Sequence, residues 1–237
     1  MFGIDPLTIS TMLVLTGNTL TCPARKPTEI HVKPRTAEVI YDRTHTLEQL
    51  QNYETDTVDP YGFHGKTVTQ GFMKGEIELR HKIKFGTAKY DRHGYGCVWY
   101  DSIDIELNID PRIFIAKELY SDRCMRNAII EHELKHVRVD REIVNKYANS
   151  MGKNVYNALK SRGFSVGPLP VERMDEVRSK MQRVVQQVLE LEYKKLGIER
   201  QERQRAVDSL EEYERVDALC PNFEKRKTNL YRRIFND

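Results

Sequence analysis

His132-Glu133-Leu134-Lys135-His136 is the stretch from which the rest of the chain is read. Residues four apart on a helix are neighbours on one face, so imidazoles at 132 and 136 can reach a single cation. Glu133 lies about 100° further round the helix, close enough to accept a proton from a water at that cation without being a ligand itself. The flanking residues place the segment on a buried helix. Met125, Ala128, Ile129, Val139, Ile143 and Tyr147 fall within about 60° of His132 by helical arithmetic. Ile130, Leu134, Val137 and Val144 form a second apolar side, and Glu131, Lys135, Arg138 and Glu142 a narrow charged strip with members spaced to pair at i,i+4. A helix apolar on two sides belongs at the centre of its domain. Ser121 as N-cap and Gly152 as C′ residue predict a helix from about Asp122 to Met151.

Upstream the period changes to two. Ile77, Leu79, His81, Ile83 and Phe85 alternate with Glu76, Glu78, Arg80, Lys82 and Lys84, a strand with one buried and one charged face. His81 is in phase with the buried face, where it is either packed or at a surface rim, or else near a metal. Cys97, Trp99, Asp101, Ile103, Ile105, Leu107 and Ile109 form a second long strand that Pro111 closes; Asp101 is expected at a strand end near solvent. Ile30 with Val32, then Val39 to Tyr41, predict short strands, and Thr46 with Gln49 a capping box for a brief helix near Leu47 to Tyr53. His64 and His93 accompany the glycine-containing loops Tyr61 to Lys66 and Gly94-Tyr95-Gly96.

Downstream, Ser161 to Pro170, with two Gly and two Pro, reads as a linker. Met174, Val177, Met181, Val184, Val188 and Leu191 then alternate spacings of three and four, a heptad seam. That seam serves either packing on the chain's own domain or self-association through the 171–195 helix. The charged segment from Glu199 is expected to be helical as far as Leu219, where Cys220-Pro221 stops it. The organisation that follows is an N-terminal segment 1–22, a domain 23–170 and a helical extension 171–237. Its fold class is α+β, a small antiparallel-rich sheet with a central helix.

Composition narrows the function classes. With 237 residues and a formal charge of +3, the chain has no general basic field, and Lys225-Arg226-Lys227 and Arg232-Arg233 read as solvated surface, which argues against nucleic acid as a partner. No apolar run approaches the ~20 residues of a membrane span. Cys22, Cys97, Cys124 and Cys220 occur singly, without a CxxC pair, and four cysteines allow three complete pairings. A bridge between Cys97 and Cys124 would fasten the start of the central helix to the strand before it, and these two are expected to lie close enough to form one. Ile9 to Leu15 is similar to a weak signal-peptide core, although no Lys or Arg precedes it and Asp5-Pro6 interrupts it. Export, a misplaced start and an ordinary first element all stay open. The even cysteine number favours a periplasmic or secreted location over a cytoplasmic one.

The core His132-Glu133-Leu134-Lys135-His136 followed by Asp140 resembles the HExxHxxxD helix of thermolysin-like zincins. The stretch Cys97 to Tyr147, about a fifth of the chain, resembles a group of bacterial predicted secreted zinc-dependent proteases. The resemblance implies a zincin-like core, a single catalytic Zn²⁺ and hydrolysis of peptide bonds, with the strand Cys97 to Ile109 as the edge along which an extended substrate lies. The chain also departs from these patterns. Val139 and Glu142 stand where HExxHxxGxxH has its glycine and third histidine, and the Asn-Glu-x-x-Ser-Asp segment is absent. The third ligand is therefore unidentified. Asp140 is a tentative choice, but i to i+8 spans about 12 Å of helix rise, which predicts that Asp140 instead holds His136 or a neighbouring group from outside the ligand shell. Glu172, Asp175 and Glu176, near the start of the later helix, are other sources.

The expectation is a zinc metallopeptidase acting on a peptide or protein substrate, with His132 and His136 as metal ligands and Glu133 as general base. The alternatives are a non-catalytic, metal-stabilised module with a partner-binding helical extension, and a domain without metal whose histidines are satisfied by protein groups.

Overall fold

Two long alternating segments pair as one hairpin. The computed structural model describes residues 20–53, 68–223 and 228–232. In chain order it contains β1 (Glu29–Thr36), β2 (Ile40–Asp42), α1 (Leu47–Gln51), β3 (Gly71–Tyr90), β4 (Tyr95–Ile115), α2 (Lys117–Tyr120), α3 (Arg123–Arg162), β5 (Ser165–Pro170), α4 (Met174–Val207) and α5 (Leu210–Ala218). The class is α+β. The N-terminal apolar patch, the loop carrying His64, and Lys225 to Lys227 lie outside the described residues. Among the described residues no helix is long and apolar enough to cross a membrane.

β4 pairs with β1, β2, β3 and β5. It is therefore the middle of the sheet, not the free edge that the resemblance implied. β2 runs parallel to it, Ile40 opposite Arg112, and β5 antiparallel, Trp99 opposite Ser165. Nor does Pro111 close β4, which continues to Ile115. The proline falls between the Ala37 N–H to Ile109 carbonyl bond and the first β2 pair at Arg112. The neighbouring chain passes from β1 to β2 there, so a missing N–H breaks a ladder that is already interrupted. The β3–β4 turn uses Gly94 at φ +67°; His93, His81 and Asp101 are exposed.

Helix α3 is longer than its sequence signals suggested. Asp122, not Ser121, caps it, its Oδ1 accepting from the N–H groups of Cys124 (3.0 Å) and Met125 (3.1 Å). The helix runs through Gly152, a mid-helix glycine costing only about 1 kcal/mol, and a Cβ there would meet Val32 Cγ2 at 3.0 Å. It ends at Gly163, whose φ of +99° and N–H to the Leu159 carbonyl are those of a helix terminator. α1 forms as expected, with Thr46 and Gln49 making the reciprocal capping box.

The chain divides into two compact units. One comprises Leu79–Leu107, Lys146–Lys194 and the described residues before Arg35. Its core is built from Val98, Ile103 and Ile105 of β4, Met151, Val155 and Leu159 of α3, and Met174, Val177, Met181 and Val184 of α4. The first four seam residues are thus buried within the chain. Beyond them burial shifts to Val185, Leu189 and Glu192, leaving Leu191 55% exposed, because a straight α-helix drifts about 20° per heptad away from a 3.5-residue repeat. The expected linker is strand β5. Gly167, at φ +136° and with its Cβ position 2.8 Å from the Gly96 carbonyl oxygen, lets it pair closely with β4 despite its Gly/Pro content.

The other unit comprises the described residues of Arg35–Glu78, Asn108–Asn145 and those from Lys195 onward. Leu47 and Leu50 of α1, Ile113 and Ile115 of β4, Met125 and Ile129 of α3, Val216 of α5 and Phe223 share one core, and Phe72 stacks on Phe114 at 4.6 Å. Both disulfides differ from the expected Cys97–Cys124 bridge. Cys97 is joined to Cys22 in the first unit, and Cys124 to Cys220 in the second. The arm before β1 lies along β4, held by the Thr28 hydroxyl to the Tyr100 carbonyl at 2.8 Å, and the end of α5 lies beside the start of α3. Neither proximity has a local sequence signal.

Candidate metal centre

The amphipathic pattern that buries α3 also buries His132, Glu133 and His136, at 7%, 4% and 8% exposure. The Nε2 atoms of His132 and His136 face each other at 3.4 Å, and Asp208 reaches them from the junction of α4 and α5. Its Oδ1 lies 3.3 Å from His132 Nε2 and 3.1 Å from His136 Nε2. These three residues could hold a metal ion. Bonds of about 2.0–2.1 Å at tetrahedral angles require neighbouring donor atoms about 3.3 Å apart, which is the spacing here. Two imidazole nitrogens and a carboxylate oxygen are also donors of the kind that small divalent cations take.

The far side of each ring is equally specified. His132 Nδ1 meets Glu212 Oε1 at 3.2 Å and His136 Nδ1 meets Gln204 Oε1 at 2.5 Å. Acceptors at both Nδ1 atoms leave both Nε2 atoms for the centre, as metal-binding histidines require. Glu212 is in turn held by Lys135 (2.6 Å) and by Arg215. The charged strip of α3 pairs across helices: Lys135 with Glu212, Glu131 with Arg215, and Glu142 with Arg203.

Asp140, the tentative third ligand, is fully buried but does not belong to the triangle. Its carboxylate accepts from Arg200 at 2.7 and 3.1 Å and from Gln204 Nε2 at 2.7 Å. Glu172, Asp175 and Glu176 are exposed, the last two paired with Arg178 and with Lys180 and Arg173; none enters the group. Sequence reasoning missed Asp208, although a signal was present. Ser209-x-x-Glu212 is a helix-start pattern, and Ser209 Oγ does accept from the Glu212 N–H. The break it creates in the charged C-terminal run turns the Asp208 carboxylate toward α3.

Electrostatics follow from this burial. Burial alone lowers the basicity of His136, but the Asp208 hydrogen bond, the charges of Glu133 and Asp208, and Gln204 together push it up to about 9. His132 is raised by the same balance. Asp208, which burial would raise, is held low by hydrogen bonds from both histidines. Glu212 is pushed down to about 2, chiefly by Arg215. Glu133 is different: desolvation dominates and raises it, offset only in part by the two histidines and by the Met73 N–H of β3. β3 comes this close because a Cβ at Gly71 would lie 2.5 Å from Ile129 Cγ2. The arrangement thus offers three convergent donors and, beside them, a carboxyl group in dry surroundings.

Comparison with family models, with curated proteins and with solved structures finds no match to this chain.

Proposed function

We propose that the chain is a zinc-dependent peptidase with a zincin-like site, in which His132, His136 and Asp208 hold Zn²⁺ and Glu133 is the general base. The observation carrying this reading is the convergence of two Nε2 atoms and one carboxylate oxygen within 3.1–3.4 Å, next to a buried Glu133. Zinc bound there supplies Lewis acidity, acidifying water and polarising the scissile carbonyl. Glu133 takes the proton of the attacking water, holds it on its carboxylate, and delivers it to the leaving amine nitrogen as the C–N bond breaks. Its raised basicity in a desolvated position suits both transfers. Glu212 and Gln204 keep the two rings aimed. An oxidising location, periplasmic or secreted, is supported by the pairing of all four cysteines in disulfides.

A second reading, a metal-stabilised module without catalysis, is favoured by the burial of all three donors below a tenth of their surface and by the Tyr213 ring 5.9 Å from that of His132, since structural zinc sites are closed. Glu133→Gln separates the two. The amide keeps the shape and leaves every ligand, so zinc content should match wild type at about one per chain, while cleavage of a mixed peptide pool should fall by roughly 10²-fold or more. Equal cleavage by both proteins at equal zinc occupancy would remove Glu133 from its role. Zinc bound by both with cleavage by neither would favour the closed structural site.

A further inference from the structure

Resting on the zinc reading, we propose that Gln204 is a positioning residue that places the proton of neutral His136 on Nδ1 and so presents Nε2 to the metal, with Asp140 and Arg200 acting on the site only through it. A primary amide has one acceptor and two donors. Gln204 Nε2 faces two groups that can only accept, Asp140 Oδ1 at 2.7 Å and the His136 carbonyl at 3.1 Å. Its oxygen is therefore the atom 2.5 Å from His136 Nδ1, and the shared hydrogen belongs to the ring. Reversing the amide would set its oxygen against a carboxylate and a carbonyl.

This orientation matters because Asp208 pulls the other way. Oδ1 of Asp208, 3.1 Å from His136 Nε2, favours a proton on the nitrogen that must be bare for a metal to bind. A neutral ring has one proton for two competing acceptors, and the Gln204 oxygen, fixed toward Nδ1 by the two acceptors on its amide nitrogen, is the group that favours the proton there. Asp140 fixes Gln204, and Arg200 fixes Asp140 through its Nε at 2.7 Å while donating from Nη2 to the Gly75 carbonyl at 2.8 Å. A Cβ at Gly75 would come within 2.9 Å of Asp140 Oδ2, so glycine there lets β3 approach the buried carboxylate. The relay runs from β3 through Arg200, Asp140 and Gln204 to His136, whereas the Nδ1 of His132 meets Glu212.

The test uses the full chain with Gln204→Met, which keeps the length of the side chain and removes both its donors and its acceptor. Zinc affinity by chelator competition should weaken about 10–100-fold. In the zinc-free protein, at a pH where the ring is neutral, ¹⁵N shifts of His136 should show protonated Nδ1 in wild type and mixed tautomers in the variant. Asp140→Asn should weaken zinc binding in the wild-type background and add almost nothing in Gln204→Met, because its effect passes through the amide. Unchanged affinity in Gln204→Met, an unaltered tautomer, or additive effects of the two substitutions would each overturn the relay. Failure of wild type to take up zinc would instead overturn the metal reading, while the tautomer measurement still reports on Gln204.

Discussion

Asp208→Asn in the zinc-free protein isolates the charge at the centre of the site. The amide keeps an oxygen beside both Nε2 atoms and removes the negative charge that the histidines share. In wild type, His136 rises from 6.5 to about 9, which corresponds to roughly 3 kcal/mol at 1.36 kcal/mol per pH unit. The side chain is only 10% exposed, so solvent screening takes little from this figure. A base whose folded-state value lies above its unfolded value contributes its full stability below the unfolded value, and loses it as pH rises through the folded one. That window runs from 6.5 to about 9. Glu133 supplies part of the rise, so Asp208→Asn should cost about 1–3 kcal/mol near pH 6 and much less above pH ~9. Urea unfolding of both proteins in chelator, at the two ends of this window, measures the difference. An equal loss at both ends, or none at the acidic end, would show that the pair is not coupled as the 3.1 Å contact implies. The same variant should bind zinc much more weakly, since a neutral amide oxygen is a poorer ligand than a carboxylate.

Two further outcomes follow from the same geometry. Because His136 stands at about 9 without metal and His132 is raised as well, zinc binding near neutral pH should release one proton or more, and affinity should rise by at least ~50-fold between about pH 7 and 9; calorimetry in buffers of different ionisation enthalpy counts the protons, and a pH-independent affinity would contradict the assignment. Replacing Cys124 and Cys220 together by serine opens a loop between residues 96 apart, which the chain-entropy relation puts at about 4.7 kcal/mol. Chemical unfolding should show the loss, and a change below ~1 kcal/mol would mean that α5 is held mainly by its side-chain contacts.

The sequence by itself determined whatever depends on local period. The two alternating segments became β3 and β4, the two-sided apolar pattern buried α3 with His132, Glu133 and His136 on its inner faces, and the Thr46/Gln49 pair capped α1, because side-chain direction along a helix or strand is fixed by backbone geometry alone. The lengths of these elements were less legible. Gly152, Pro111 and the Gly/Pro content of 161–170 punctuate the sequence, but neighbouring strands and helices supply packing that overrides such weak signals. Only the tertiary structure decided the rest of the site. Asp208 is 72 residues from His136, and Gln204 is 68 residues away. Which acidic or amide group closes a triangle begun on another helix depends on where α4 breaks and how α5 is tied to α3 through Cys124–Cys220. The same holds for the cysteines, whose partners are set by chain segments that meet only after folding. A helix carries information about its own faces; the group that arrives from across the core is chosen by packing, to which residues far apart in the chain contribute together.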